Sequence, residues 1–112
     1  MVEELRSKEE LERFIKSNRI AVVAIVSDPT SKNYVRKLLD KLEEKSRNLI
    51  RSGIVYPCNI DEVNRDIVIR MYIDSNMVFE QQGIFWKQDL DYEALRRGIK
   101  DVLKKHNFKT LF

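Results

Sequence analysis

The chain has 112 residues, 43% hydrophobic and 35% charged, a balance that fits one globular unit able to bury a core without disulfide or metal staples. Its one cysteine excludes an internal disulfide, and one cysteine with one histidine cannot assemble a structural zinc site. The net charge of +3, from 21 basic and 18 acidic residues, is too small an excess to imply a nucleic-acid partner by itself.

Met1 to Glu4 is acidic where a signal peptide is basic, and Val2 to Leu5 reads as a weak strand. Ser7 and Glu10 have the capping-box spacing, with Leu11, Phe14 and Ile15 following at helical intervals, which predicts a short helix to about Asn18. Ile20 to Val26 is continuously apolar and β-branched, the pattern of a central strand covered on both faces. It is also the longest apolar run and far shorter than the roughly 20 residues that cross a bilayer, so a cytoplasmic protein without a membrane partner is expected. Asp28 can cap a second helix with Pro29 at its first position. Val35, Leu38, Leu39 and Leu42 form that helix's buried stripe, opposed by Lys37, Lys41, Glu44 and Arg47, and its end is expected near Ser52 and Gly53.

Ile54 to Cys58 reads as another strand, with Pro57 marking an edge or an end, and Asn59 to Asp61 leaves the sheet. A third, shorter helix is predicted from about Val63 to Tyr72, presenting Val63, Ile67, Val68 and Met71 inward until Asp74 to Asn76 breaks it. Met77 to Glu80 and Ile84 to Lys87 flank Gln81, Gln82 and Gly83 and read as an antiparallel hairpin, with Ile84 and Trp86 on one face and Phe85 on the other. Asp91 is expected to cap a last helix carrying Leu95, Ile99, Val102 and Leu103 on one face. Gly98 inside that helix costs about 1 kcal/mol relative to alanine and marks a close approach to the sheet. Abundant Lys, Glu, Arg and Ile suits a thermophilic source that relies on ion-pair networks, against which the seven asparagines count.

The order helix, strand, helix, strand, helix, hairpin, helix resembles the thioredoxin-like fold. The likeness is most detailed from Ile20 to Asn48, where strand, turn and long helix follow the thioredoxin pattern without a gap, including Leu39 and Asp40. Asn59 to Asp61 falls where that family often ends its third strand with Val-Asp or Ile-Asp. Met77 to Gly83 falls, with one residue of slack, on its fourth strand and hairpin glycine. The resemblance implies an α/β fold, a three-layer α/β/α sandwich with a mixed central sheet of four strands, five if Val2 to Leu5 joins, and four helices over one domain, residues 1–112. Thioredoxins carry Trp-Cys-Gly-Pro-Cys at the start of the second helix, where the helix N-terminus lowers a thiol's pKa. Here those positions read Asp28, Pro29, Thr30, Ser31 and Lys32, which makes dithiol exchange at this turn chemically impossible. The family's cis-proline has its nearest counterpart at Ser75 or Asn76 and is missing too. The resemblance therefore implies a redox-inactive scaffold that binds other macromolecules.

Thr30, Ser31 and Asn33 at the start of the second helix are the residue types that hold an anion or a partner's carboxylate, and equally the types of an ordinary solvated cap. Cys58 is either a lone reactive thiol or, more simply, a small buried hydrophobe. His106 sits in the last turn of the last helix, where the dipole favours a cation. Glu43 with Glu44, and Asp89 with Asp91, are the nearest paired carboxylates, and neither pair has the disposition of an acid and a base. Arg96, Arg97, Lys100, Lys104, Lys105 and Lys109 make the C-terminal region the most basic, interrupted by Glu93 and Asp101. Phe108, Leu111 and Phe112 either fold back on the core or form a docking hook. Tyr56 and Trp86, if exposed, point to an interface. The sequence thus predicts no catalytic residue, cofactor or metal. It suggests a protein-interaction or assembly module with a protein partner or a second copy, with nucleic-acid binding through the basic C-terminal helix as the alternative and one-cysteine redox chemistry as a third reading.

Overall fold

The computed structural model describes residues 1–56 and 67–108. Every residue of the strand Ile20–Val26 (β2) is buried, as its unbroken apolar run requires. It is the third of five strands in the order β1-β3-β2-β4-β5, with β1 at Glu3–Leu5, β3 at Arg51–Val55, β4 at Ile67–Ile73 and β5 at Asn76–Gln82. β1, β3 and β2 run parallel, and β4 and β5 join antiparallel. Alternate residues of β2 serve two cores. Ile20, Val22, Ala24 and Val26 meet Val35, Leu38, Leu39 and Leu42 of the helix Pro29–Lys45 (α2) and Leu95, Ile99 and Leu103 of the helix Gln88–Lys105 (α3). Ala21, Val23 and Ile25 face Leu11 and Phe14 of the helix Lys8–Ser17 (α1) on the other side. The Ser7 hydroxyl accepts from the Glu10 N–H at 3.1 Å, the half of the capping box that starts α1.

The predicted third helix does not form over the described residues. From Ile67 onward that stretch is β4, because Ile67, Val68, Ile69 and Ile73 supply β-branched side chains to both faces of the sheet. Asp74 and Ser75 then take left-handed backbone, φ 50° and 70°, the geometry of a two-residue hairpin turn between β4 and β5. The hairpin therefore lies one strand earlier than predicted. Gly83, at φ 80°, ends β5 instead of turning a hairpin, and Ile84 to Lys87 is a loop into α3. The described residues accordingly hold three helices and five strands, where the sequence suggested four helices.

Helix α2 stops at Lys45, earlier than expected. Arg47 and Asn48 adopt φ of 53° and 63°, and asparagine tolerates that region well enough to end a helix without glycine. Ser52 and Gly53 belong instead to β3, which lies between β1 and β2 and is no edge strand. A Cβ at Gly53 would stand 2.8 Å from Leu5 Cδ1, so the glycine admits the short strand β1. Pro57, Cys58, Asn59 to Asp61 and Val63 lie outside the described residues. Gly98 behaves as expected: a Cβ there would stand 2.6 Å from Cε1 of Phe79 on β5. Among the described residues no helix is long and apolar enough to cross a membrane.

Candidate interaction site at one end of the sheet

Helix α2 begins where β2 leaves the sheet, and its first turn is closed by its own side chains. Asp28 holds extended backbone at the N-cap and accepts from the Ser31 N–H at 2.8 Å and the Ser31 hydroxyl at 2.9 Å. Those donors, the backbone one first, keep the Asp28 carboxyl below the usual carboxylate range. Ser31 is buried and Pro29 and Thr30 are exposed. At the start of α2 the negative charge thus comes from the chain itself, which is the arrangement of an ordinary cap. The turn offers no thiol.

Lys32 reaches the neighbouring strand ends. Its ammonium lies 2.6 Å from Glu4 of β1 and 5.2 Å from the centre of the Tyr56 ring, and Arg36 meets the same Glu4 oxygen at 2.8 Å. Hydrogen bonds from Lys32 and Arg6 lower the Glu4 carboxyl.

The loop from Gly83 to Lys87 lies at the same end, because Gly83 donates to the Ile67 carbonyl at 2.9 Å and Ile67 pairs with Val26, the last residue of β2. Its hub is Asp91, fully buried in the first turn of α3. One carboxylate oxygen accepts from the Phe85 N–H at 2.7 Å. The other accepts from the Lys87 N–H at 3.2 Å and from the Tyr34 hydroxyl of α2. Asp91 therefore caps α3 from inside the helix, with Lys87 in the N-cap position, which corrects its expected place as the N-cap residue. Burial first, and then the hydrogen bond to Asp91, push the Tyr34 phenol well above its ordinary range. Trp86 is held at φ 63°, a rare conformation for a bulky residue, with its ring 4.8 Å from that of Tyr34. It remains 49% exposed, and Phe85 is 65% exposed. The loop thus presents two aromatic rings beside the start of α2 on a backbone fixed by a buried carboxylate.

The other sequence candidates are dispersed. Ser75 lies in the β4–β5 turn and Asn76 begins β5, at the opposite end of the sheet, since Ile73 pairs with Ile20 at the start of β2. Neither therefore lies beside the start of α2, where the resemblance expected a cis-proline counterpart, and the chain's prolines are Pro29 and Pro57. Arg96 is bound by Glu93 through contacts of 3.1 and 2.9 Å, and Arg97 is 3.9 Å from the same carboxylate. Lys100 is half-buried, and Lys104, Lys105 and His106 are exposed. Phe108 folds back on the core, with the Arg19 guanidinium 4.9 Å from its ring centre. Cys58, Lys109, Leu111 and Phe112 lie outside the described residues.

Neither carboxylate pair comes together. Asp89 is exposed while Asp91 is buried, and Glu44 is exposed while Glu43 is 3% exposed. Glu43 accepts from the N–H and hydroxyl of Ser52 at 2.7 and 2.6 Å, and its other oxygen has the Met1 ammonium, 2.6 Å away, as its partner. No pattern in the residues pointed to that anchor, nor to Tyr34 as the partner of Asp91. Asp91 itself was visible only as a helix-start residue. Among the described residues no group of three histidine, cysteine or acidic side chains is placed to hold a metal.

The sequence matches no protein-family model and no curated protein. In three dimensions the chain resembles Plasmodium falciparum thioredoxin, with a TM-score of 0.66 and 14% identity over 89% of this chain and 98% of that one. Mitochondrial thioredoxin 3 from Saccharomyces cerevisiae gives 0.64 and 20% identity over 89% of this chain and 94% of that one. A structure concerned with the thiol-resolving mechanism of yeast mitochondrial 1-Cys peroxiredoxin gives 0.67 at 20% identity, over 89% and 94%. The chain has the thioredoxin-like fold, and with a single cysteine it lacks the fold's redox pair.

Proposed function

We propose that this protein is a redox-inactive, thioredoxin-like interaction module that docks a protein partner on the end of its sheet formed by the start of α2 and the loop from Gly83 to Lys87. The observation that carries the reading is the exposure of Phe85 and Trp86 on a loop that buried Asp91 holds in place. Solvent-facing aromatics on a fixed backbone lose little conformational freedom on binding, and tryptophan is a frequent anchor of interfaces. The Asp28 cap and the missing thiols leave this end able to bind but without dithiol chemistry. One spacing favours a second reading: Arg96, Lys100 and Lys104 recur every four residues along α3, and Lys41 stands 4.3 Å over the ring of Tyr92 on the same helix. That strip suits a phosphate backbone, with the strong salt dependence such binding carries.

The test is recovery of partners from the native host through an N-terminal tag, with and without nuclease, for the wild type, for Phe85→Ala with Trp86→Ala, and for a version ending at Phe108, which keeps the core contact of that ring. Nuclease-resistant partners lost from the aromatic variant support the proposed site. Recovery that depends on nucleic acid favours the basic strip, and partners lost only on truncation move the contact to the tail. A disulfide-reduction assay in which the wild type works faster than Cys58→Ser would overturn the redox-inactive reading.

A further inference from the structure

The two edges of the sheet differ. β1 is only three residues long and two of them are exposed glutamates, whereas β5 runs seven residues without lysine, arginine or proline and with one acid, Glu80. Among the described residues no strand pairs with the outer side of β5. Charged side chains, prolines and short length are the usual means of blunting an edge, so β5 is the open one. Its irregularity, between Met71 and Tyr72 of the partner strand, lies at its beginning and leaves Phe79 to Gln82 in regular register.

The direction of the free backbone groups follows from one bond. Gly83 donates to Ile67 of β4, so alternation turns the N–H and C=O of Gln82 and Glu80 away from β4 and toward the open side. An antiparallel strand centred on Gln81 would meet both residues. If that strand is β5 of a second copy, Glu80 falls opposite Gln82 of the other chain, and no like charges oppose each other.

Helix α3 carries the same symmetry. Gly98 lies over Phe79, and α3 returns along β5 in the opposite sense after the loop from Gly83 to Lys87. A step of two residues from Phe79 to Gln81, about 7 Å, corresponds to between four and five residues of helix at about 1.5 Å each. The axis that centres the strands on Gln81 therefore passes near Glu93 and Ala94. Asp89, Leu90, Glu93, Ala94 and Arg97 line an open groove of about 460 Å³ on this helix, with half-exposed Leu90 and small Ala94 between an acid and a base. An antiparallel copy centred there sets Asp89 against Arg97 of the other chain, and Arg97 against its Asp89, while the two Glu93 carboxylates that approach at the axis are each neutralised by their own Arg96.

We propose that the protein forms a two-fold homodimer in which β5 pairs with β5 of a second copy about Gln81, joining the sheets, while the two α3 helices meet along Leu90 and Ala94 with reciprocal Asp89–Arg97 ion pairs. Edge pairing and helix charge arise from different elements, and both select the same axis. The surface is separate from Phe85 and Trp86, so it stands or falls independently of the proposed docking end.

Sedimentation equilibrium on the full chain tests this, with concentrations reaching about 1 mM so that even weak association is seen. The wild type should shift toward twice the monomer mass as concentration rises. Gln82→Pro removes an outward-facing backbone donor and an exposed side-chain hydrogen bond to Glu80 but no ladder bond to β4, and should be monomeric while keeping its circular dichroism and thermal unfolding. Asp89→Lys and Arg97→Glu should each be monomeric alone. Mixed in equal amounts, they should regain the dimer mass, because the new lysine faces the new glutamate and the unchanged Arg97 faces the unchanged Asp89. A wild type that stays monomeric throughout overturns the proposal, as does a dimer that persists in all three variants or a mixture that fails to reassociate.

Discussion

The hydroxyl of Tyr34 on α2 donates to the carboxylate of Asp91 on α3, and the same carboxylate accepts from the backbone N–H groups of Phe85 and Lys87. One buried acid thus ties two helices and the loop that exposes Trp86. Hydrogen bonds to charged groups contribute about 1.5–3 kcal/mol each, and orphaning buried donors costs their desolvation. We expect Asp91→Ala to lose about 3 kcal/mol in urea unfolding and to release Trp86 from its left-handed backbone, seen as a changed fluorescence maximum of the folded protein. Unchanged emission would show that the loop holds itself.

Tyr34 makes this tie sensitive to alkali. Its folded-state pKa is raised, by burial first and by Asp91 second, so the stabilisation is fully present below the ordinary phenol value of about 10 and is lost as pH rises beyond it. Tyr34→Phe should cost about 1 kcal/mol near neutrality. The gap between the two proteins should narrow or reverse at about pH 11, where the unfolded wild type gains by ionising. A gap of constant size from neutral to alkaline pH would contradict this.

Glu43 gives the opposite dependence. Burial pushes its carboxyl up, but the Met1 ammonium and the two donors of Ser52 more than offset this and leave it below the usual range. A lowered folded-state pKa contributes stability above the ordinary carboxylate value and loses it as pH falls through the folded value. Glu43→Gln is therefore expected to cost about 2 kcal/mol at neutral pH and clearly less at about pH 3, by chemical unfolding at each pH. Equal costs at both would mean that the charge contributes nothing.

Gly98 and Phe79 are expected to be coupled. Replacing a helical glycine by alanine ordinarily gains about 1 kcal/mol. Here the new methyl would meet the Phe79 ring, and overpacking costs about 1–3 kcal/mol. Gly98→Ala should be neutral to destabilising in the wild type and stabilising in a Phe79→Leu background, a sign change that a double-mutant cycle would show. The same effect in both backgrounds would place the strain elsewhere.

Much of this architecture was legible wherever the apolar pattern had a single solution. The seven-residue run of β2, the Ser7 and Asp28 caps and the stripes of α2 and α3 all read correctly because period and capping chemistry agreed. The stretch from Ile67 to Ile73 failed because Ile67, Val68 and Met71 satisfy a helical stripe as well as a strand buried on both faces. Asp74 and Ser75 completed the error, since the residues that stop a helix also turn a hairpin. Of the candidate site, the missing thiols and Trp86 were readable. Tyr34 and Glu43 were not, because their roles depend on partners 57 and nine residues away that only the tertiary fold brings near.

The register of β2 has a wider consequence. Among the described residues, the strands on one side of it pair parallel with their neighbours and come from the first half of the chain, and those on the other side pair antiparallel and come from the second. The sheet is therefore two pieces of different grammar sewn along one seam, from Ile20 opposite Ile73 to Val26 opposite Ile67. Each flank can vary at its free edge while the stitching holds, but a break in the middle of the seam, at Val22 to Ala24, would leave two half-sheets with no common strand.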